Sequence, residues 1–183
     1  MVGDSFIHWA SRVALSSPWG EALDGMATVR WLGRRGLRLD QFNDFLHSCW
    51  TKEPESPTWI IIHVGSNDLG YIPKKSMFEG IKQILAVTRE LLPHTIIYWS
   101  EILPKVSYPS ANKQNSVERT RRALNRSVGN LFLRAPGGLI AHPQIAWWRQ
   151  EFYLPDGVHL VDAASQFLIY NFHMALIRSC EVA

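Results

Sequence analysis

Cysteine is almost missing from this chain: Cys49 and Cys180 are the only two in 183 residues. They stand far apart with no metal-ligand spacing around them, which excludes a thiolate metal centre. Two buried free thiols, suited to a reducing compartment, are the expectation. An excess of one charge is missing too. Lys and Arg number 19 against 16 acids, a net +3, too little to imply a nucleic-acid partner. No apolar run is long enough to span a bilayer. Charged Asp4 and polar Ser5 stand where the apolar segment of a secretory signal would begin. An intracellular, cytoplasmic protein is therefore expected, and the sequon Asn125-Arg126-Ser127, on an expected helix, is discounted. Repeats, low-complexity tracts and composition breaks are lacking as well, so residues 1–183 read as a single domain.

What is present is an ordinary globular mixture, 46% hydrophobic and 19% charged. Eight tryptophans are many for this length. They read as core and cleft wall, with only a weak suggestion of a lipid-facing surface. Residues 6–16 read as a helix, broken by Ser17-Pro18-Trp19-Gly20. Thr28–Leu32 reads as a short strand. Helical spacing runs from Leu39 to Trp50, and Lys52–Pro57 is a loop. Thr58–Val64 is an apolar, β-branched run of the kind buried on both faces of a sheet. Lys74–Leu92 is an amphipathic helix stopped by Pro93. Thr95–Ser100 is another buried strand, closed by Pro104 and followed by a polar loop with Pro109. Glu118–Leu133 is a basic helix, Pro136-Gly137-Gly138 a turn and Leu139–His142 a last strand. Trp147–Leu154 is a loop, and Val161–Ser179 a closing helix. Strands alternate with helices, which predicts a parallel sheet covered on both faces. Ligands of such sheets bind outside the carboxyl ends of the strands.

Four polar segments fall at those ends or in loops: Gly3-Asp4-Ser5, Gly33-Arg34-Arg35-Gly36, Gly65-Ser66-Asn67-Asp68 and Asp156-Gly157-Val158-His159. Each is bland alone, because Gly, Asp, Asn and Ser are what turns and helix caps prefer, and a lone histidine is usually structural. Together they offer what a nucleophilic serine requires: a base, a group to orient that base, and donors for a developing oxyanion. His8, His63, His94, His142 and His173 stand in none of these segments and read as structural. Arg30, Arg34, Arg35 and Arg38 either greet an anionic substrate or solvate their loop, and solvation is the simpler reading. The same holds for Arg119, Arg122 and Arg126, which share a helix face.

In order and spacing these segments resemble the SGNH hydrolases, the GDSL-like esterases and lipases, from residue 2 to about residue 175. The resemblance implies a three-layer α/β/α sandwich with a flavodoxin-like parallel sheet. It makes Ser5 the nucleophile, His159 the base, Asp156 the orienting acid, and Gly36 and Asn67 oxyanion donors beside the Ser5 N–H. A small ester, or a lipid ester, would be the substrate, with no metal or organic cofactor required. Trp-Leu-Gly-Arg-Arg-Gly together with Ile-Ile-Ile-His-Val-Gly-Ser-Asn-Asp-Leu-Gly is also similar to esterase-like domains of vertebrate transposable elements. The alternative function is a catalytically silent interaction module on the same fold. One departure from the family stands out: only Met1 and Val2 precede Gly3. A central first strand of two residues is expected, as in an N-terminally shortened reading frame, leaving neighbouring backbone groups unpaired.

Overall fold

The computed structural model describes residues 1–17, 22–23, 25–50, 56–108, 114–133 and 137–181. The expected break at Pro18-Trp19-Gly20, most of the Lys52–Pro57 loop, Pro109 and Pro136 lie outside them. The elements follow one another as β1 (Val2–Gly3), α1 (Ser5–Ala14), β2 (Leu32–Gly33), α2 (Leu39–Trp50), β3 (Trp59–His63), α3 (Lys74–Leu91), β4 (Ile96–Ser100), α4 (Gln114–Gly129), β5 (Gly137–Ile140) and α5 (Asp162–Glu181). The strands form one parallel sheet in the order β2-β1-β3-β4-β5.

Alternation along β3 assigns the two faces, because successive side chains of a strand point opposite ways. Ile60 and Ile62 join Phe42, Met77, Ile81 and Leu124 in a core under α2, α3 and α4. Ile61 joins Phe6, Ile7, Leu168 and Phe172 in a second core under α1 and α5. Three layers result, as expected. From β1 the chain goes to β2 on one side, whereas β3, β4 and β5 lie on the other. The carboxyl end of β1 is thus the topological switch point, where such sheets open a crevice.

The first strand has the two residues expected of it. Val2 and Gly3 pair with Leu32 and Gly33 on one side and with Ile62 and His63 on the other. The ladder is prolonged by one residue, with the Met1 amine donating to Arg30 O at 2.6 Å and Leu32 N–H to Met1 O at 2.8 Å. Behind it lies a cavity of about 370 Å³ lined by Met1, Val29, Arg30, Trp59, Ile60 and Ile61. The expected strand Thr28–Leu32 is for that reason only Leu32–Gly33: a strand needs a partner, and β1 supplies one over two residues.

Other expectations shift as well. The basic helix begins at Gln114 and ends at Gly129, with Asn130–Phe132 tightening into a 3-10 turn. The cysteines are not buried: Cys49 is half-buried and Cys180 exposed. The tryptophans divide between core and cleft wall as expected: Trp99 is fully buried and Trp50 and Trp59 line the cavity behind β1, while Trp148 is 62% exposed. Asn125 of the sequon is buried, its side chain bonded to both the N–H and the carbonyl of Ile102. No helix among the described residues is long and apolar enough to cross a membrane.

Candidate active site

Asp4 starts the site. It is fully buried and caps α1, its Oδ1 accepting the Phe6 N–H at 3.0 Å. An aspartate cap is among the best a helix can have. Ser5 is therefore not the cap but the first residue inside the helix, and its N–H belongs to the first turn, which has no intrahelical acceptor. That N–H, with the helix dipole behind it, favours negative charge beside Ser5. Gly3 is needed for the approach of β1 to β3, because a Cβ there would collide with the His63 carbonyl.

The loops after β2 and β3 carry the two expected oxyanion donors. Gly36 has φ +72°, a left-handed conformation that favours glycine, and the space where its Cβ would stand is open. Asn67 gives one amide hydrogen to Leu37 O at 3.0 Å, which leaves the second for another acceptor. Asp68, sealed in the interior, accepts the Leu39 N–H at 3.2 Å at the start of α2. Burial raises its carboxyl to about 6, against the pull of that N–H and of Arg38. Two bonds thus hold the Gly36 loop against the Asn67 loop. Gly36, Ser66, Asn67, Lys105 and Val158 line one cavity of about 290 Å³.

Val158 belongs to the fourth segment, in the loop before α5. There Asp156 Oδ2 meets His159 Nδ1 at 2.6 Å. Its Oδ1 accepts the Val158 and His159 N–H groups at 2.8 and 2.9 Å. One carboxylate therefore orients the imidazole and folds the turn that carries it. Burial pushes the Asp156 carboxyl upward, but the His159 ring and the two N–H groups outweigh it and hold it below the usual carboxylate range. With an anionic acceptor at Nδ1, the ring places its proton there and leaves Nε2 free to accept.

His159 packs over the first turns of α1, with ring centroids 6.5 Å from Phe6 and 6.3 Å from Trp9. Ser5, 6% exposed, stands at the start of that helix. The structure brings together Asp156 with His159, and Gly36 with Asn67. It forms no hydrogen bond between Ser5 and His159. Contacts of this kind often tighten only when substrate binds. No cluster of metal-ligating side chains occurs among the described residues.

Four residues of the site carry roles that the sequence did not assign: Asp4, Ser66 and Asp68, which lie within the polar segments, and Lys105, which lies outside them. Ser66 Oγ donates to Asp4 Oδ2 at 2.7 Å, and Lys105 Nζ donates to Ser66 O at 2.9 Å. The cap preference of aspartate before a helix was a usable signal for Asp4. Nothing local signals Lys105. His63 and His142 are structural, as expected: both are buried, and Ser100 Oγ lies 2.7 Å from His63 Nδ1 and 2.7 Å from His142 Nε2.

The family model for the GDSL-like lipases and acylhydrolases matches residues 1–167. Among solved structures, a GDSL-like lipase from Bacteroides thetaiotaomicron is similar with a TM-score of 0.71 at 12% identity, over 97% of this chain and 86% of that one. A carbohydrate esterase family 3 protein from Talaromyces cellulolyticus gives 0.66 at 15% identity, over 100% and 97%. An acetyl esterase mutant solved with acetate ion gives 0.65 at 15% identity, over 100% and 97%. At these identities the likeness shows the fold. No curated protein matches the chain by sequence.

Proposed function

The chain belongs to the GDSL-like lipase/acylhydrolase family, and from that premise we propose that it cleaves carboxylic esters through an acyl-enzyme on Ser5. The observation that carries this reading is the Asp156–His159 contact of 2.6 Å beside the helix that Ser5 begins.

In the first half-reaction Ser5 Oγ attacks the acyl carbon while His159 Nε2 takes the hydroxyl proton. The carbonyl π pair becomes an oxyanion facing the Ser5 and Gly36 N–H groups and the free amide hydrogen of Asn67. Asp156 stabilises the imidazolium that forms. Collapse expels the alcohol, which leaves with the proton from His159. Water repeats the sequence in the second half, with His159 again as base, and releases the carboxylic acid. One well-placed oxyanion donor is worth about 3–4 kcal/mol in the transition state. The chemistry needs no redox partner.

Hydrolysis of short p-nitrophenyl esters tests the reading. Turnover by the unaltered protein that disappears in a folded Ser5→Ala variant supports it. Equal rates for the two proteins contradict it, and no turnover by either favours the silent interaction module.

A further inference from the structure

The cavity beside Gly36 and Asn67 has a charge character that ester hydrolysis itself does not call for. Besides Gly36, Ser66, Asn67 and Val158 it is walled by Arg38, Lys105 and two tyrosines, Tyr71 and Tyr108. No carboxylate among the described residues lines it. Lys105 is 7% exposed, rare burial for a lysine, and its Nζ spends one hydrogen on Ser66 O at 2.9 Å. An ammonium has three. Arg38 is at the mouth, its guanidinium carbon 4.9 Å from the centre of the exposed Tyr71 ring.

The carboxylates around Lys105 stand outside the cavity wall. Asp4 is sealed, with both oxygens occupied by the Phe6 N–H and Ser66 Oγ. Asp68 is sealed and bonded to Leu39 N–H, and Asp156 is taken up by His159. Burial lowers the Lys105 pKa, while Asp4, Asp68 and Asp156 pull it back up. These acids favour the charged ammonium, and the charged side chains that line the cavity among the described residues are both cations, Arg38 and Lys105.

We propose that Lys105 and Arg38 select esters that carry an anionic group, a carboxylate or a phosphate, within reach of the scissile carbonyl. This rests on the esterase reading above and adds to it a substrate class. A cation buried this far gains more from a charged partner than an exposed one does, because water screens it less. The cavity, at about 290 Å³, accommodates a short anionic chain rather than a long acyl tail.

Two matched pairs of esters test the proposal on the unaltered protein. In one the acyl group differs: 4-nitrophenyl hemiglutarate against 4-nitrophenyl pentanoate. In the other the alcohol differs: 4-carboxyphenyl acetate against phenyl acetate. The anionic member of at least one pair should have a kcat/KM about tenfold or more higher, the size of one hydrogen bond to a charged group. Lys105→Met and Arg38→Gln should each reduce that preference, read as the ratio of kcat/KM for the anionic ester to kcat/KM for its neutral partner. Should Lys105→Met fail to fold, product inhibition decides without a variant. Glutarate should then inhibit about tenfold more strongly than pentanoate, again the worth of one charged contact. Equal or better turnover of both neutral esters overturns the proposal, as does a preference that survives both substitutions or equal inhibition by the two acids. Each of these leaves the esterase reading standing. Absence of turnover on all four esters would instead remove that reading itself.

Discussion

Ser66 Oγ donates to Asp4 Oδ2 across 2.7 Å, and this bond fastens the loop after β1 to the loop after β3. Asp4 precedes the candidate nucleophile and Ser66 precedes the candidate amide donor. This buried contact, beyond the β1–β3 ladder and the Asp4 N–H bond to His63 O at 3.0 Å, sets the position of Ser5 relative to Asn67. Asp4 cannot replace it with water, since it is fully buried.

Ser66→Ala should accordingly act on turnover before it acts on binding. A displacement of reacting groups by about 1 Å can cost roughly a hundredfold in rate. We expect kcat to fall about ten- to a hundredfold by the same principle, with KM nearly unchanged. Ser66→Thr, which keeps the hydroxyl, should recover most of the loss. Steady-state kinetics on a short p-nitrophenyl ester check this. A drop in KM-dependent binding alone would show that the bond does not align the two groups.

The contact between Asp156 and His159 sets the pH profile. Asp156 is held below the usual carboxylate range and stays ionised wherever the imidazole can act as base. The acid limb of kcat/KM should thus report a single proton, taken up by the imidazole, with a slope of roughly tenfold per pH unit. Asp156→Asn keeps an oxygen for the Val158 and His159 N–H groups but turns a donor towards Nδ1, where an acceptor is needed. We expect a loss of about a hundredfold or more, the worth of a general base. A two-proton slope, or an Asn variant as fast as the parent, would contradict this assignment.

A second polar chain lies beneath the site, and it predicts how stability responds to acid. The side-chain amide nitrogen of Asn171 is 3.1 Å from His142 Nδ1 and can only donate, so His142 carries its proton on Nε2 and donates to Ser100 Oγ. Ser100 then donates to His63 Nδ1. Burial lowers the pKa of both imidazoles; for His63 Asp4 opposes it and Lys105 adds to it, and for His142 both His63 and Arg121 add to it. Below the ordinary histidine value of about 6.5 the unfolded chain takes up protons that the folded chain refuses. Stability contributed by these groups is therefore complete above that value and is lost as pH falls through the window beneath it. The slope approaches about 1.4 kcal/mol per pH unit for each histidine. Asp68, raised to about 6, works in the opposite direction below that pH. The clean quantity is thus the difference between parent and His142→Asn in urea denaturation at pH 7 and pH 5. The variant should lose less stability on acidification, and an unchanged difference would refute the account of the chain.

The sequence made most of the fold legible because burial imposes period. The helix expected over Leu39–Trp50 is α2 with the same bounds, and Thr58–Val64 contains β3. Strand β2 was misplaced because its length depends on how much of β1 exists to pair with, which no property of Thr28–Leu32 reveals. The cysteines were expected inside on composition alone, but tertiary packing left Cys180 exposed. At the site, the expected Asp156–His159 pairing is three residues apart and follows from local turn geometry. The Asp4–Ser66 bond spans 62 residues, and Lys105 reaches Ser66 across 39. Contacts of that range depend on how the sheet is assembled and leave no local periodicity to read.

The central claim is that Ser5 is the nucleophile, and covalent labelling tests it most directly. Treatment with a fluorophosphonate, followed by peptide mapping with mass spectrometry, should place the phosphonyl group on the peptide that contains Ser5 and on Ser5 itself. Ser5→Ala should take up no label, and His159→Ala should take it up far more slowly. Stoichiometric labelling at another residue, with Ser5 left unmodified, would contradict the account.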